Sequence, residues 1–288
     1  MLTITDLHKR FGEKEVLKGV SLQVPQGSIF GFIGRNGAGK TTTMKAVLGL
    51  LQPDAGEIFV SGERVRYGET PTNRHIGYLP DVPEFYGFLN GKEYLELCAQ
   101  IRGTDPKQAG ELLDLVGLGS EKHRIRGWSR GMKQRLGIAQ ALLGDPKLLI
   151  CDEPTSALDP VGRKEILERL KSVKDRTTIL FSTHILSDVE RICTDVAFLD
   201  QGTVKLQGKL SQLRSSREYL LELRDPQKVP LLTDRFPALR EEDGKLRFRE
   251  QEAPQHELLA FLAENRIAVA QLLQAEQSLE SLFLEVAE

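Results

Sequence analysis

The run Gly34-Arg35-Asn36-Gly37-Ala38-Gly39-Lys40-Thr41-Thr42 constrains this chain more than any other stretch. It fits G-x-x-x-x-G-K-[ST], a loop pattern suited to holding phosphate. Gly34, Gly37 and Gly39 admit backbone angles that a Cβ would forbid. The loop is therefore expected to curl with its N–H groups, Asn36 among them, turned inward as an anion nest. Lys40 would set a point charge on the outer phosphates, and Thr41 would offer its hydroxyl to Mg²⁺. Thr42 to Leu50 reads as a helix whose positive end faces the same anion. Upstream, Ser28 to Ile33 is a short apolar run, the pattern of a buried strand. Strand, loop and helix in that order are the context the pattern needs.

The rest of the chain fits around that unit. Leu2, Ile4 and Leu7, then Val16, Leu17, Val20, Leu22 and Val24, alternate as antiparallel strands broken at Gly12-Glu13-Lys14. Phe11, beside that turn, is either a core aromatic or a flat face for an adenine ring. From Asp81 to about Gly127 helical patterns take over, starting at Leu89 and again after Pro106. Strands and helices then alternate to about Leu206, which predicts a mainly parallel sheet covered on both faces. The expected fold is α/β, with an antiparallel N-terminal part and a helical insert at about 82–140. Past residue 210 the tail reads strand, helix, strand, turn at Asp243-Gly244, strand, helix, strand, helix. That order suggests a small split-βαβ (ferredoxin-like) α+β domain at 211–288, with Ser211 to Arg217 as a polar connector.

Candidate catalytic groups sit at strand ends, where open α/β sheets gather them. Leu148 to Cys151 is an apolar strand closing on Asp152-Glu153. Asp152 would hold the Mg²⁺ that Thr41 also touches, and Glu153 could polarise the water that attacks the γ-phosphate. His184, past the strand from Thr177 to Ser182, is a candidate partner of that phosphate and water. Ser129 is a good helix N-cap, so Ser129 to Met132 is either a capped helix start or a second anion site.

The phosphate loop, Trp128-Ser129-Arg130-Gly131-Met132, Asp152-Glu153, Ser156-Ala157-Leu158-Asp159 and His184, in that order, resemble the nucleotide-binding domain of ABC transporters over about residues 2 to 210. The resemblance implies an ATPase that uses ATP and Mg²⁺ and works as a head-to-tail dimer around two ATP molecules. By the same resemblance Ser129 and Gly131 contact the γ-phosphate bound by the opposite subunit, Asp159 belongs to the segment crossing the dimer, and Phe11 stacks on adenine. Two positions depart from the family. Trp128, Arg130 and Met132 replace three residues of the usual Leu-Ser-Gly-Gly-Gln, and Asp81 stands where a metal-reaching glutamine is usual. Asp81 either reaches Mg²⁺ through a water or has a different role.

Ser129 to Arg135 and the ending Ser278 to Leu284 further resemble the single-domain ATPases of bacterial export-type systems. In those the permease is a separate polypeptide. The implied location is peripheral, on the inner face of the plasma membrane, with Pro83 to Leu89 meeting the permease. The alternative is a non-transport ABC ATPase acting on nucleic acid or ribosomes. Such proteins usually carry two nucleotide domains or long coiled coils, and this chain shows neither a heptad run nor a basic stripe. A net charge of −2 over 288 residues likewise favours no nucleic-acid partner. A third reading makes the tail a regulatory sensor, with hydrolysis secondary. No run of 18 apolar residues and no secretion signal is expected, and Cys98, Cys151 and Cys193 are expected to be reduced and buried.

Overall fold

The computed structural model describes residues 1–288 apart from 69–70, 157, 243, 250–252, 277 and 288. Ala157 and Asp243, both named above, lie outside the described residues. The chain divides into two compact units, 1–210 with the last three residues and 211–285, and each is described by itself.

The first unit opens with β1 (Leu2–Phe11) and β2 (Lys14–Val24), an antiparallel pair. The apolar residues Leu2, Ile4, Leu7, Val20, Leu22 and Val24 all point inward and are buried. β3 (Ile29–Ile33) is buried along its whole length and runs into the phosphate loop, followed by α1 (Lys40–Val47). β4 (Ala55–Val60) and the short β5 (Glu63–Arg64) complete a four-stranded sheet in the order β2-β1-β4-β5. Next come β6 (Ile76–Leu79) and the insert helices α2 (Gly91–Arg102) and α3 (Gln108–Leu115). α2 begins with a capping box: Asn90 accepts from the Glu93 N–H, and Glu93 reaches back to the Asn90 N–H.

α4 (Arg130–Leu142), β7 (Leu148–Cys151), α5 (Pro160–Ser172), β8 (Thr178–Thr183), α6 (Leu186–Ile192), β9 (Asp195–Asp200) and β10 (Thr203–Lys209) follow. The second sheet has the order β10-β9-β3-β8-β7-β6, parallel except for the antiparallel edge strand β10. Its inner strands β3, β7, β8 and β9 are buried throughout, as a parallel sheet covered on both faces requires. Cys151 is fully buried, whereas Cys98 and Cys193 are half-buried, contrary to the expectation of three buried thiols; all three are free.

The second unit contains β11 (Ser215–Leu223), α8 (Val229–Arg235), β12 (Arg240–Glu242), β13 (Lys245–Arg249), α9 (Gln255–Glu264), β14 (Val269–Glu276) and most of α10 (Leu279–Ala287). α7 (Leu210–Arg214) precedes it. The polar stretch read as a connector is thus regular. Ser215 already pairs with Glu276, and ladder hydrogen bonds outweigh the poor strand propensity of serine. The sheet order β12-β13-β11-β14, antiparallel throughout, is that of a split-βαβ fold. Leu221, Leu232, Leu246, Phe248 and Leu258 form its core.

Candidate active site

The phosphate loop owes its curl to two glycines. Gly37 (φ 82°) and Gly39 (φ 113°) occupy the left-handed region, and Gly39 is the N-cap of α1. Gly34 is needed for a different reason from the one expected. Its φ is ordinary, but a Cβ there would lie 2.5 Å from the Leu199 carbonyl oxygen. The loop delivers the chain into α1 with the first-turn N–H groups of Lys40, Thr41 and Thr42 lacking intrahelical acceptors, which makes the helix start an anion site.

Lys40 is 6% exposed, and its ammonium donates to Gly34 O at 2.6 Å. It also lies 3.0 Å from Glu153 Oε1. The other carboxylate oxygen, Oε2, is 2.9 Å from His184 Nδ1. Residues from the ends of β3, β7 and β8 therefore meet as Lys40, Glu153 and His184. Glu153 is strained to hold that place, with φ 46° on a residue that has a Cβ, at a cost of ~1–3 kcal/mol. Its N–H donates to Ser182 Oγ at 2.9 Å, and Ser182 donates to Asp152 Oδ1 at 2.6 Å. Asp152 is buried, Thr41 is exposed, and His184 is exposed on its outer side.

A nucleotide phosphate and Mg²⁺ fit these residues. A buried ammonium beside a glycine-walled helix start suits a phosphate, which would compete with Glu153 for Lys40. The Thr41 hydroxyl and the Asp152 carboxylate are hard oxygen donors of the kind Mg²⁺ takes alongside phosphates and water. Among the described residues no group of three His, Cys, Asp or Glu side chains forms a metal cage.

The other sequence-predicted residues stand outside this hydrogen-bonded group. Phe11 is 50% exposed, which excludes the core reading, and the Lys9 ammonium lies 5.5 Å from its ring centroid. Ser129 is exposed and caps α4, accepting from the Met132 N–H at 3.2 Å; Gly131 follows, partly exposed. Asp159 caps α5 by accepting from the Gly162 N–H at 3.2 Å. Asp81 accepts the Ser156 hydroxyl at 2.8 Å, which ties the end of β6 to the turn after Glu153. Trp128 is buried, its indole N–H donates to His123 O at 3.1 Å, and its ring abuts Gly91.

Sequence reasoning passed over Ser182, Thr155 and Asp188. Ser182 and Thr183 are polar residues closing an apolar strand, and both are fully buried. Asp188 sits among buried Val189 and Ile192 on α6, where the helical period reserves an apolar place. A polar residue on a buried face was the available signal.

Beside the insert, Val82, Tyr86 and Phe88 are exposed large side chains at 62%, 57% and 65%. Tyr86 packs near Phe88 and Tyr94, with ring centroids 5.9 and 6.2 Å away. A groove of about 280 Å³ lies alongside, lined by Pro83, Phe85, Ile125, Arg126 and Lys133 among others.

Comparison with known proteins points to one family. The family model described as ABC transporter matches residues 17–156. The bacitracin transport ATP-binding protein BcrA of Bacillus licheniformis is 38% identical over 99% of this chain and 97% of its own length. The ABC transporter ATP-binding protein YxlF of Bacillus subtilis is 42% identical over 76% of this chain and 74% of its own. Among solved structures, an ATP-binding subunit of an ABC transporter superposes with a TM-score of 0.67 at 35% identity, over 74% of this chain and 92% of the other. A bacterial ABC transporter cassette solved as a dimer gives 0.65 at 25% identity, over 73% and 99%.

Proposed function

The chain belongs to the ABC transporter ATP-binding family, whose members are ATPases, and from that premise we propose that it is the motor subunit of an export system whose permease is a separate polypeptide. The observation that carries this reading is the meeting of Glu153 with both Lys40 and His184 at the strand ends. ATP binds the loop, with Gly34, Asn36, Gly37, Gly39, Lys40, Thr41 and Thr42 around its phosphates and Phe11 against its adenine. The incoming phosphate draws the Lys40 ammonium from Glu153, which frees the carboxylate to take a proton from the attacking water. His184 holds Glu153 on one side and reaches the γ-phosphate and water. Thr41 and Asp152 would hold Mg²⁺, which neutralises charge on the phosphates. Asp81 is proposed to serve through Ser156, or to touch the metal through a water.

Ser129 is exposed and Gly131 partly so, which suits completion of the site in a second copy, with Asp159 at the crossing segment. The apolar patch at Val82, Tyr86 and Phe88, with its groove, suits the permease, and the chain would then be peripheral on the inner membrane face. Among the described residues no helix is long and apolar enough to cross a membrane. Residues 211–288 would be an accessory domain. BcrA, similar over nearly the whole chain, is named for bacitracin transport, so bacitracin is the first cargo to assay. The test is Glu153→Gln on gel filtration with ATP, paired with pull-down from solubilised membranes. An ATP-dependent dimer and a co-purifying multi-span protein are expected. A variant that stays monomeric, or one that recovers RNA and ribosomal protein instead, would overturn the reading.

A further inference from the structure

The turn after Glu153 is pinned from a second side. Thr155 is fully buried and donates its hydroxyl to Asp188 Oδ2 at 2.6 Å. Asp188 is 2% exposed and lies on α6, just beyond His184. Two links therefore join the same two segments. One runs from Glu153 to His184 at the surface of the site, and the other from Thr155 to Asp188 behind it. Together with the intervening backbone they close a ring of which the strained Glu153 is one member.

A carboxylate is an expensive group to place there. Burial pushes the Asp188 carboxyl above its ordinary range, against the pull of the Thr155 hydrogen bond and the charges of Arg163 and Arg191. Its helical neighbours Val189 and Ile192 are buried hydrophobes, and an aliphatic residue would fill the same place without that penalty. The Thr155 hydroxyl, with no exposure to water, has the Asp188 carboxylate as its acceptor. The turn it anchors is also the one that Ser156 ties to Asp81.

We propose that Asp188 is a positioning residue for ATP hydrolysis: by holding Thr155 it fixes the turn that keeps the Glu153 carboxylate against His184 and directed at the attacking water. The proposal rests on Glu153 being the base, and the experiment separates the two. In the full-length chain, Thr155→Val keeps the side-chain shape and removes the donor, while Thr155→Ser keeps the donor. Asp188→Ala and the double variant Thr155→Val/Asp188→Ala complete a cycle. For each, kcat and KM for ATP, equilibrium ATP affinity and melting temperature are measured. Thr155→Val is expected to lose roughly 10- to 100-fold in kcat while KM and ATP affinity stay within about twofold, because a displaced base slows chemistry without weakening phosphate binding. Thr155→Ser should recover most of the rate, and the double variant should be no slower than the slower single, as for two members of one unit.

The proposal is overturned if Thr155→Val turns over within about twofold of the wild type, or if Thr155→Ser is as slow as Thr155→Val, or if the single losses multiply in the double variant. Should Thr155→Val fail to fold, Asp188→Ala and Thr155→Ser carry the same comparison. Glu153→Gln is the control. If it hydrolyses ATP at the wild-type rate, the base assignment fails and the positioning role falls with it. If it is inactive while Thr155→Val is fully active, the positioning role alone fails.

Discussion

The two units bury different kinds of residue. The first hides Lys40, Asp152, Thr155, Ser182, Thr183 and Asp188 among its apolar side chains. In the second, among the described residues, the buried side chains are apolar throughout. Burying a polar group costs free energy unless a partner waits for it. The first unit meets that cost with the Ser182–Asp152, Thr155–Asp188 and Lys40–Gly34 contacts. The difference marks where chemistry resides. One unit buries polar groups that meet at its candidate site, while the core of the other is built from apolar side chains.

That contrast can be broken most sharply at Lys40. Lys40→Ala removes a cation that faces both the loop and Glu153, and ATP affinity is expected to fall by roughly 10²- to 10³-fold, since hydrogen bonds from charged donors are the strong ones. Isothermal titration reads this directly, and undiminished affinity would sink the phosphate-loop assignment. In the second unit, Phe248→Ala empties a site stacked on Tyr219 at 5.4 Å and should cost ~3–5 kcal/mol in unfolding. Here the expected signature is reversed: lower thermal stability with kcat of the folded protein unchanged. A parallel loss of turnover would show that the units share more than a chain.

A smaller effect is expected at Phe11. Phe11→Ala should raise KM for ATP by about tenfold, as for loss of a base–aromatic stack, with kcat preserved. Competition by nucleotides with other bases would then become less discriminating. Smallest is Asp81→Ala, which removes an exposed hydrogen bond to Ser156 worth ~0.5–1.5 kcal/mol. Its turnover should fall only a few-fold and should show the same Mg²⁺ dependence as the wild type. A marked rise in the Mg²⁺ requirement would instead assign Asp81 to the metal.

The framework was legible because its signals are local. A glycine-rich loop between an apolar strand and a helix, and a carboxylate pair closing a strand, are read within a dozen residues. The alternation that predicted the parallel sheet, and the strand–helix order of the tail, are of the same kind. What escaped depends on partners far apart in sequence. Thr155 and Asp188 are 33 residues apart, and Ser182 meets Asp152 across 30. The need for Gly34 comes from the Leu199 carbonyl on another strand, and nothing near Gly34 announces it. The left-handed backbone of Glu153 is likewise imposed by what surrounds it and has no signature of its own.

One contact bears on the history of the chain. A Cβ on Gly91 would lie 2.5 Å from the Trp128 ring, so the indole and the bare backbone opposite it form a matched pair. The pair can be exchanged in one direction only. Trp128 can shrink first and leave a cavity that is tolerable, whereas Gly91 cannot gain a side chain until the ring has gone. A lineage that admits tryptophan at the start of α4 has thereby locked a glycine at the start of α2, and the order of future substitutions in the insert is set by that lock.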